Sequence, residues 1–143
     1  MAETLFNTLN LLPLPFWVGM LLFPQTRFTQ NLVTSYWPFI VLGGISGLML
    51  VAAVATGAGS FSLSSFDALR AELAREWGFL LGWTYYLTLN LFTAVWIFRD
   101  AKYWEVGSRL FLLLTLLTGP LGLGIYLLVR QRWQRNESSE QPN

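Results

Sequence analysis

The sequence predicts an all-α polytopic membrane protein: four transmembrane helices in a bundle, with a short amphipathic helix in the interface between the second and third. Three observations predict it. Of 143 residues, 54% are hydrophobic. Only 12% are charged, about half the share usual in a soluble domain. Those charges leave four uncharged windows, each long enough to cross roughly 30 Å of hydrocarbon as about 20 helical residues.

The first window runs from Thr4 to Phe23. It lacks a basic leader and a small-residue cleavage site, so it reads as a retained span and not a signal peptide. Pro13 and Pro15 lie inside it and predict a kink, because proline cannot donate to the helix ladder. The second window is Trp37–Ala58, the third Trp77–Phe98 and the fourth Leu110–Val129. Between the second and third, Ser64 followed by Asp67 reads as an N-cap with an acid in the first turn. Phe66, Leu69 and Leu73 then share one face of a short interfacial helix. Residues 1–130 form the membrane domain on this reading, and 131–143 a polar, flexible tail. Tyr36, Trp37, Trp77, Trp96, Tyr103, Trp104, Tyr126 and Trp133 near window ends suggest interfacial belts.

Four crossings put both termini on one side with Arg70, Arg75, Arg130, Arg132 and Arg135, against Arg27, Arg99, Lys102 and Arg109 on the other. Five against four leans to termini on the cytoplasmic or stromal side.

The chain has no Cys and no His. That excludes disulfides, thiolate nucleophiles, iron–sulfur clusters and the usual haem and zinc ligands, so no metal site is expected. A net charge of +1 offers no basic stripe for nucleic acid, and the expected partner is the lipid bilayer. No acid lies within any window, so a general acid must sit at a membrane edge or be a tyrosine. Arg99 and Asp100 directly follow the third window, as a candidate ion pair.

Small residues at four-residue spacing predict close helix packing: Gly43 and Gly47, Ala53 and Gly57, Gly78 and Gly82, Thr115 and Gly119, Thr118 and Gly122. The third window is the most polar. Trp83, Tyr86, Asn90, Thr93 and Ile97 share one helix face, flanked by Tyr85 and Thr88. Asn90 lies near mid-membrane, where an amide needs a partner or a function. A structural reading pairs it with Asn10 or Thr115. A functional reading makes it the polar anchor of a ligand groove floored by Tyr and Trp. In the fourth window Pro120, between Gly119 and Gly122, should bend the helix. No Lys-Ser or Lys-Thr follows, so the glycines are no phosphate loop.

The order and spacing of several short pieces resemble one family. They are Asn10 to Trp17 with Met20 and Pro24; Gly59-Ser-Phe-Ser-Leu; Gly82-Trp-Thr-Tyr-Tyr-Leu leading to Leu91-Phe92; Trp96 to Ala101; and Gly119-Pro-Leu-Gly with Tyr126-Leu-Leu. The chain is similar over about residues 5–129 to the four-helix plastid and bacterial membrane proteins named for an abscisic-acid-deficient phenotype. The resemblance implies xanthophyll metabolism in neoxanthin formation, a photosynthetic membrane (cyanobacterial or plastid thylakoid, or plasma membrane), and a bound carotenoid or chlorophyll with no other cofactor required. It implies ligand contacts from Trp83, Tyr86, Asn90, Thr93, Trp17, Asn10, Gly119 and Gly122. The family commonly carries His, Asp and Arg where this chain has Tyr85, Asn90 and Val95. Epoxide opening needs an acid and proton shifts need a base. Two readings follow. One is a carotenoid isomerase or neoxanthin-synthesis component, working with other carotenoid enzymes and using Tyr85 or Tyr86. The other is a non-catalytic pigment-binding or accessory subunit of a photosynthetic complex.

Overall fold

The computed structural model describes residues 2–55, 65–103 and 107–140, the last six as backbone only. Among these the chain is all-helical: α1 (Ala2–Leu11), α2 (Leu14–Leu22), α3 (Arg27–Thr34), α4 (Trp37–Ala55), α5 (Phe66–Leu73), α6 (Glu76–Tyr103), α7 (Arg109–Thr118) and α8 (Pro120–Glu140). Three stretches are long and apolar enough to cross a membrane: Ala2–Leu22, Trp37–Ala55 and Glu76–Tyr103.

The first stretch breaks where its prolines predict. Pro13 caps α2, and its carbonyl accepts from both Phe16 and Trp17 backbone N–H, at 3.1 and 3.2 Å. The Asn10 amide donates to the Phe6 carbonyl at 2.9 Å, satisfying an acceptor near the break. The stretch runs alongside α6 in the same direction. Ala2 and Glu3 line a crevice with Leu73, Glu76 and Phe79, whereas Pro24 and Gln25 line one with Phe98, Lys102 and Arg109.

The sequence reading missed α3. Thr26 caps it, accepting from the Thr29 backbone N–H at 3.3 Å, and Thr29 and Val33 are its buried residues. The signal was the Thr26 cap just after Pro24, overlooked between two apolar windows. From α3 the chain enters α4, which runs antiparallel to α6: Ser35 and Tyr36 line a cavity with Arg99 and Asp100, and Phe39 meets Phe92 edge-on at 5.7 Å.

The cap of α5 is Ser65, not Ser64: its hydroxyl accepts from the Ala68 N–H at 3.2 Å, and Ser64 lies outside the described residues. Phe66 of α5 points outward and Leu73 is partly exposed beside α6, while Glu72 is buried and pairs with Arg75 at 3.5 Å. The Gly78–Gly82 pair makes room for this helix. A Cβ at Gly78 would collide with the Glu72 carbonyl, and one at Gly82 would crowd Leu73 at 3.2 Å. Gly43 and Gly47, by contrast, meet nothing within 4 Å, so that pair packs against no neighbour among the described residues. Gly57, partner of Ala53 in the expected spacing, lies outside them, as does Trp104.

Helix α6, 28 residues long, is the central post. The core around it joins Leu9, Trp17, Met20, Leu42, Leu91, Ile97, Phe98, Leu112 and Tyr126.

The fourth window does not form one spanning helix. It folds back on itself at Gly119, whose φ of 58° and ψ of −97° turn the chain out of α7 and into α8. The two arms lie side by side: the Phe111 and Tyr126 rings are 5.2 Å apart, although 15 residues of continuous helix would separate them by about 22 Å. The physical reason is at the turn, where Pro120 cannot donate and Gly119 adopts a conformation that side chains oppose. A Cβ at Gly122 would run into the backbone and hydroxyl of Thr115, so only glycine lets the arms close. Helix α8 continues to Glu140, past the point where the polar tail was expected to begin. Among the described residues, Ala2 and Glu3 thus lie near the Glu76 end of α6 and Arg130 near its Asp100 end.

Two more expectations change here. Tyr126 is 1% exposed, a core residue and no interfacial belt member. Asp100 does not pair with Arg99. It accepts from the Tyr126 hydroxyl at 2.5 Å and forms an ion pair with Arg130, whose Nε lies 2.7 Å from Oδ2, clasping the α8 arm to the end of α6. Arg130 also lies over Trp96, 5.9 Å from the ring centroid.

Candidate functional site

The polar face of α6 meets the tip of the α7–α8 hairpin near the middle of α6. There Tyr85, Tyr86, Leu89, Asn90 and Thr93 line a groove with Gly119, Pro120 and Leu123, enclosing about 300 Å³. Helical spacing puts the α6 residues on this side, and the turn at Gly119 keeps the opposite wall low. A Cβ there would lie 3.8 Å from the Tyr86 ring and 3.9 Å from Asn90 Oδ1.

Asn90 is 8% exposed. Its amide donates to the Tyr86 hydroxyl one turn back, at 3.3 Å. Its carbonyl oxygen is buried with no hydrogen-bond partner among the described residues. Neither partner expected from the sequence takes it: Asn10 Oδ1 accepts from Trp83 Nε1 at 3.0 Å, and the Thr115 hydroxyl donates to the Phe111 carbonyl at 2.7 Å. A buried acceptor without a donor costs about 1–3 kcal/mol.

Trp83 forms the groove's aromatic flank. It stacks on Tyr86 with centroids 5.3 Å apart, on Phe79 at 6.2 Å and against Phe6 at 5.4 Å. The Trp83–Asn10 bond thereby ties α1 to this wall. Trp83→Phe keeps the ring stack and removes that one bond, so it is expected to cost about 0.6–1 kcal/mol. Thermal unfolding in detergent checks this, with Asn10→Leu losing a similar amount and the double variant little more.

Of the residues expected at a site, Tyr85, Tyr86, Asn90, Thr93 and Gly119 share the groove, with Trp83 and Asn10 beside it. Trp17 is 6% exposed in the core and does not line it, and Gly122 serves the hairpin contact with Thr115. Ile97, on the same helical face, is fully buried. Among the lining side chains only the two tyrosines are of an ionisable type.

A second cavity escaped the sequence reading. It holds about 760 Å³ between α4 and α6, lined by Val33, Tyr36, Phe39, Thr88, Leu89, Phe92, Trp96, Arg99 and Asp100. Leu89 borders both spaces, so the two flank α6 on adjoining faces. Its aromatic residues come from separate windows, and pairing Phe39 with Phe92 needed the antiparallel register of α4 on α6.

The chain matches the family profile described as ABA4-like, ABA DEFICIENT 4-like, over residues 4–126, from α1 through the first arm and turn of the hairpin to Tyr126. No curated protein and no solved structure matches it.

Proposed function

Because the chain belongs to the ABA DEFICIENT 4-like family, we propose that it serves xanthophyll metabolism of the neoxanthin type as a membrane protein that binds a carotenoid between its helices. The observation that carries this reading is the unpartnered Asn90 Oδ1 at the wall of an otherwise apolar and aromatic groove. A ring bearing a hydroxyl would donate to that oxygen and bury its hydrocarbon against Leu89, Leu123 and Tyr85. Within a bilayer no water competes for the acceptor, so the bond distinguishes an oxygenated carotenoid from a plain hydrocarbon. The Tyr86 hydroxyl accepts from the Asn90 amide, which leaves its own proton free to turn toward a ligand oxygen. The polyene tail has room in the larger cavity past Leu89.

A second reading, a non-catalytic pigment-binding or accessory subunit, draws on the neutral lining. The groove lining carries no carboxylate, imidazole or amine to serve as a general base, only the hydroxyls of Tyr85, Tyr86 and Thr93 and the Asn90 amide. The proposed setting is a photosynthetic membrane, with carotenoid enzymes or a larger complex as partners.

The test is to purify the protein from a xanthophyll-producing host and record its visible absorption. Wild type is expected to retain pigment. Asn90→Leu is expected to bind about tenfold less, the worth of one hydrogen bond of about 1.4 kcal/mol. Without ligand the same variant should melt no lower than wild type, because it removes an unsatisfied buried oxygen. A colourless wild-type protein, or equal pigment in both, would sink the binding site. Deleting the protein and profiling pigments separates the two readings: a changed neoxanthin-type fraction supports metabolism, and bound pigment with an unchanged profile supports the accessory role.

A further inference from the structure

We infer that the α7–α8 hairpin enters the membrane and leaves on the side it came from, so that the chain crosses three times and its ends lie on opposite sides. Dimensions support this. The 10 residues of α7 reach about 15 Å, half the hydrocarbon thickness. The turn at Gly119 accordingly sits beside Tyr86 and Asn90, midway along the 28-residue α6. The returning arm needs about the same length, and Arg130, 11 residues past Gly119, meets Asp100 at 2.7 Å near the end of α6 from which α7 also departs.

Irregular backbone at membrane depth persists only where protein covers it or a cavity adjoins it. The Gly119 turn meets both conditions: it lies against α6 and lines the groove. The small side of α8 at Gly122 lets two short helices pack without a gap, as membrane helices require.

The three-crossing path also resolves the charge distribution. Arg130, Arg132 and Arg135 move to the side of Arg27, Arg99, Lys102 and Arg109, leaving Arg70 and Arg75 alone on the other. Seven basic residues against two is a decided bias where four crossings left almost none. By the positive-inside rule the end bearing Lys102, Arg109 and the α8 extension faces the cytoplasm, or the stroma in a plastid, and the N-terminus faces away. This basic face then meets the leaflet whose anionic headgroups attract it.

The chain has no cysteine, so single-cysteine variants report cleanly. Glu3→Cys, Gly107→Cys and Gln131→Cys are all at exposed positions. In sealed right-side-out bacterial membrane vesicles, a membrane-impermeant maleimide is expected to label Glu3→Cys directly. Gly107→Cys and Gln131→Cys should label together, and only after permeabilisation. Labelling of positions 107 and 131 from opposite sides would overturn the re-entrant hairpin. Their labelling together from outside, with position 3 protected, would overturn the sidedness. Ser108→Cys repeats the measurement if Gly107→Cys does not accumulate.

Discussion

Gly122→Ala is expected to be, with Gly78→Ala, among the most damaging single-methyl changes at the described glycines. It should cost about 3 kcal/mol and lower the melting temperature in detergent by about 10 °C. The added Cβ would meet the backbone N, the Cα and the hydroxyl of Thr115 on the facing arm. Backbone atoms cannot step aside as a flexible side-chain end would, so α7 and α8 must separate. That separation also pulls Phe111 from Tyr126 and disturbs the turn at Gly119. Gly124→Ala is the matched control, since a Cβ there meets nothing within 4 Å. Alanine in a helix is favoured over glycine by up to about 1 kcal/mol, so Gly124→Ala should be neutral or stabilising. Melting curves of the two variants side by side decide the matter. Equal stability would mean that the arms do not lie against each other.

Asp100→Leu carries the second large effect. Asp100 accepts a hydrogen bond from Tyr126 and pairs electrostatically with Arg130, and the side chains of Arg130 and Asp100 are 30% and 16% exposed. Loss of one partner from a deeply buried pair costs about 3–5 kcal/mol, and from a surface pair at most about 1. Partial burial places this pair between those limits, at about 2 kcal/mol. Asp100→Leu with Arg130→Met should recover much of the loss, because no uncompensated charge remains. A double-mutant cycle on melting free energies measures the coupling, and additivity of the two changes would count against the clasp. Tyr126→Phe should cost less than Asp100→Leu, since it deletes a donor but leaves the ion pair in place.

Much of the site was legible because α6 is a regular helix. Spacing alone puts Tyr86, Asn90 and Thr93 on one face, and the structure finds them around one groove with Tyr85 at its edge. Gly119 was legible too, as a small residue beside a proline. What spacing could not tell was the use of each glycine. Gly122 and Gly119 look alike in sequence, yet one closes a helix pair and the other borders the groove. Trp17 was expected among the ligand contacts and is a core residue, packed in the cluster that also holds Met20, Phe98 and Leu112. The larger cavity depends on Phe39 meeting Phe92 and on Tyr36 reaching the Asp100 end of α6. Those are contacts between separate windows, and no local periodicity encodes them.

The sequence by itself determined the helical class, the apolar windows, the break at Pro13 and the polar stripe on α6. Each is a local matter of hydropathy, proline chemistry or helical period, readable within one segment. The tertiary structure alone decided what the fourth window does. Hydropathy measures only how apolar a segment is, and an apolar segment of 20 residues suits a hairpin of two half-length arms as well as one straight span. The choice rests on the Gly119 turn, on contact between Thr115 and Gly122, and on the bond of Arg130 and Tyr126 to Asp100. A hairpin in place of one straight span follows from those contacts, and the three-crossing path proposed above rests on it.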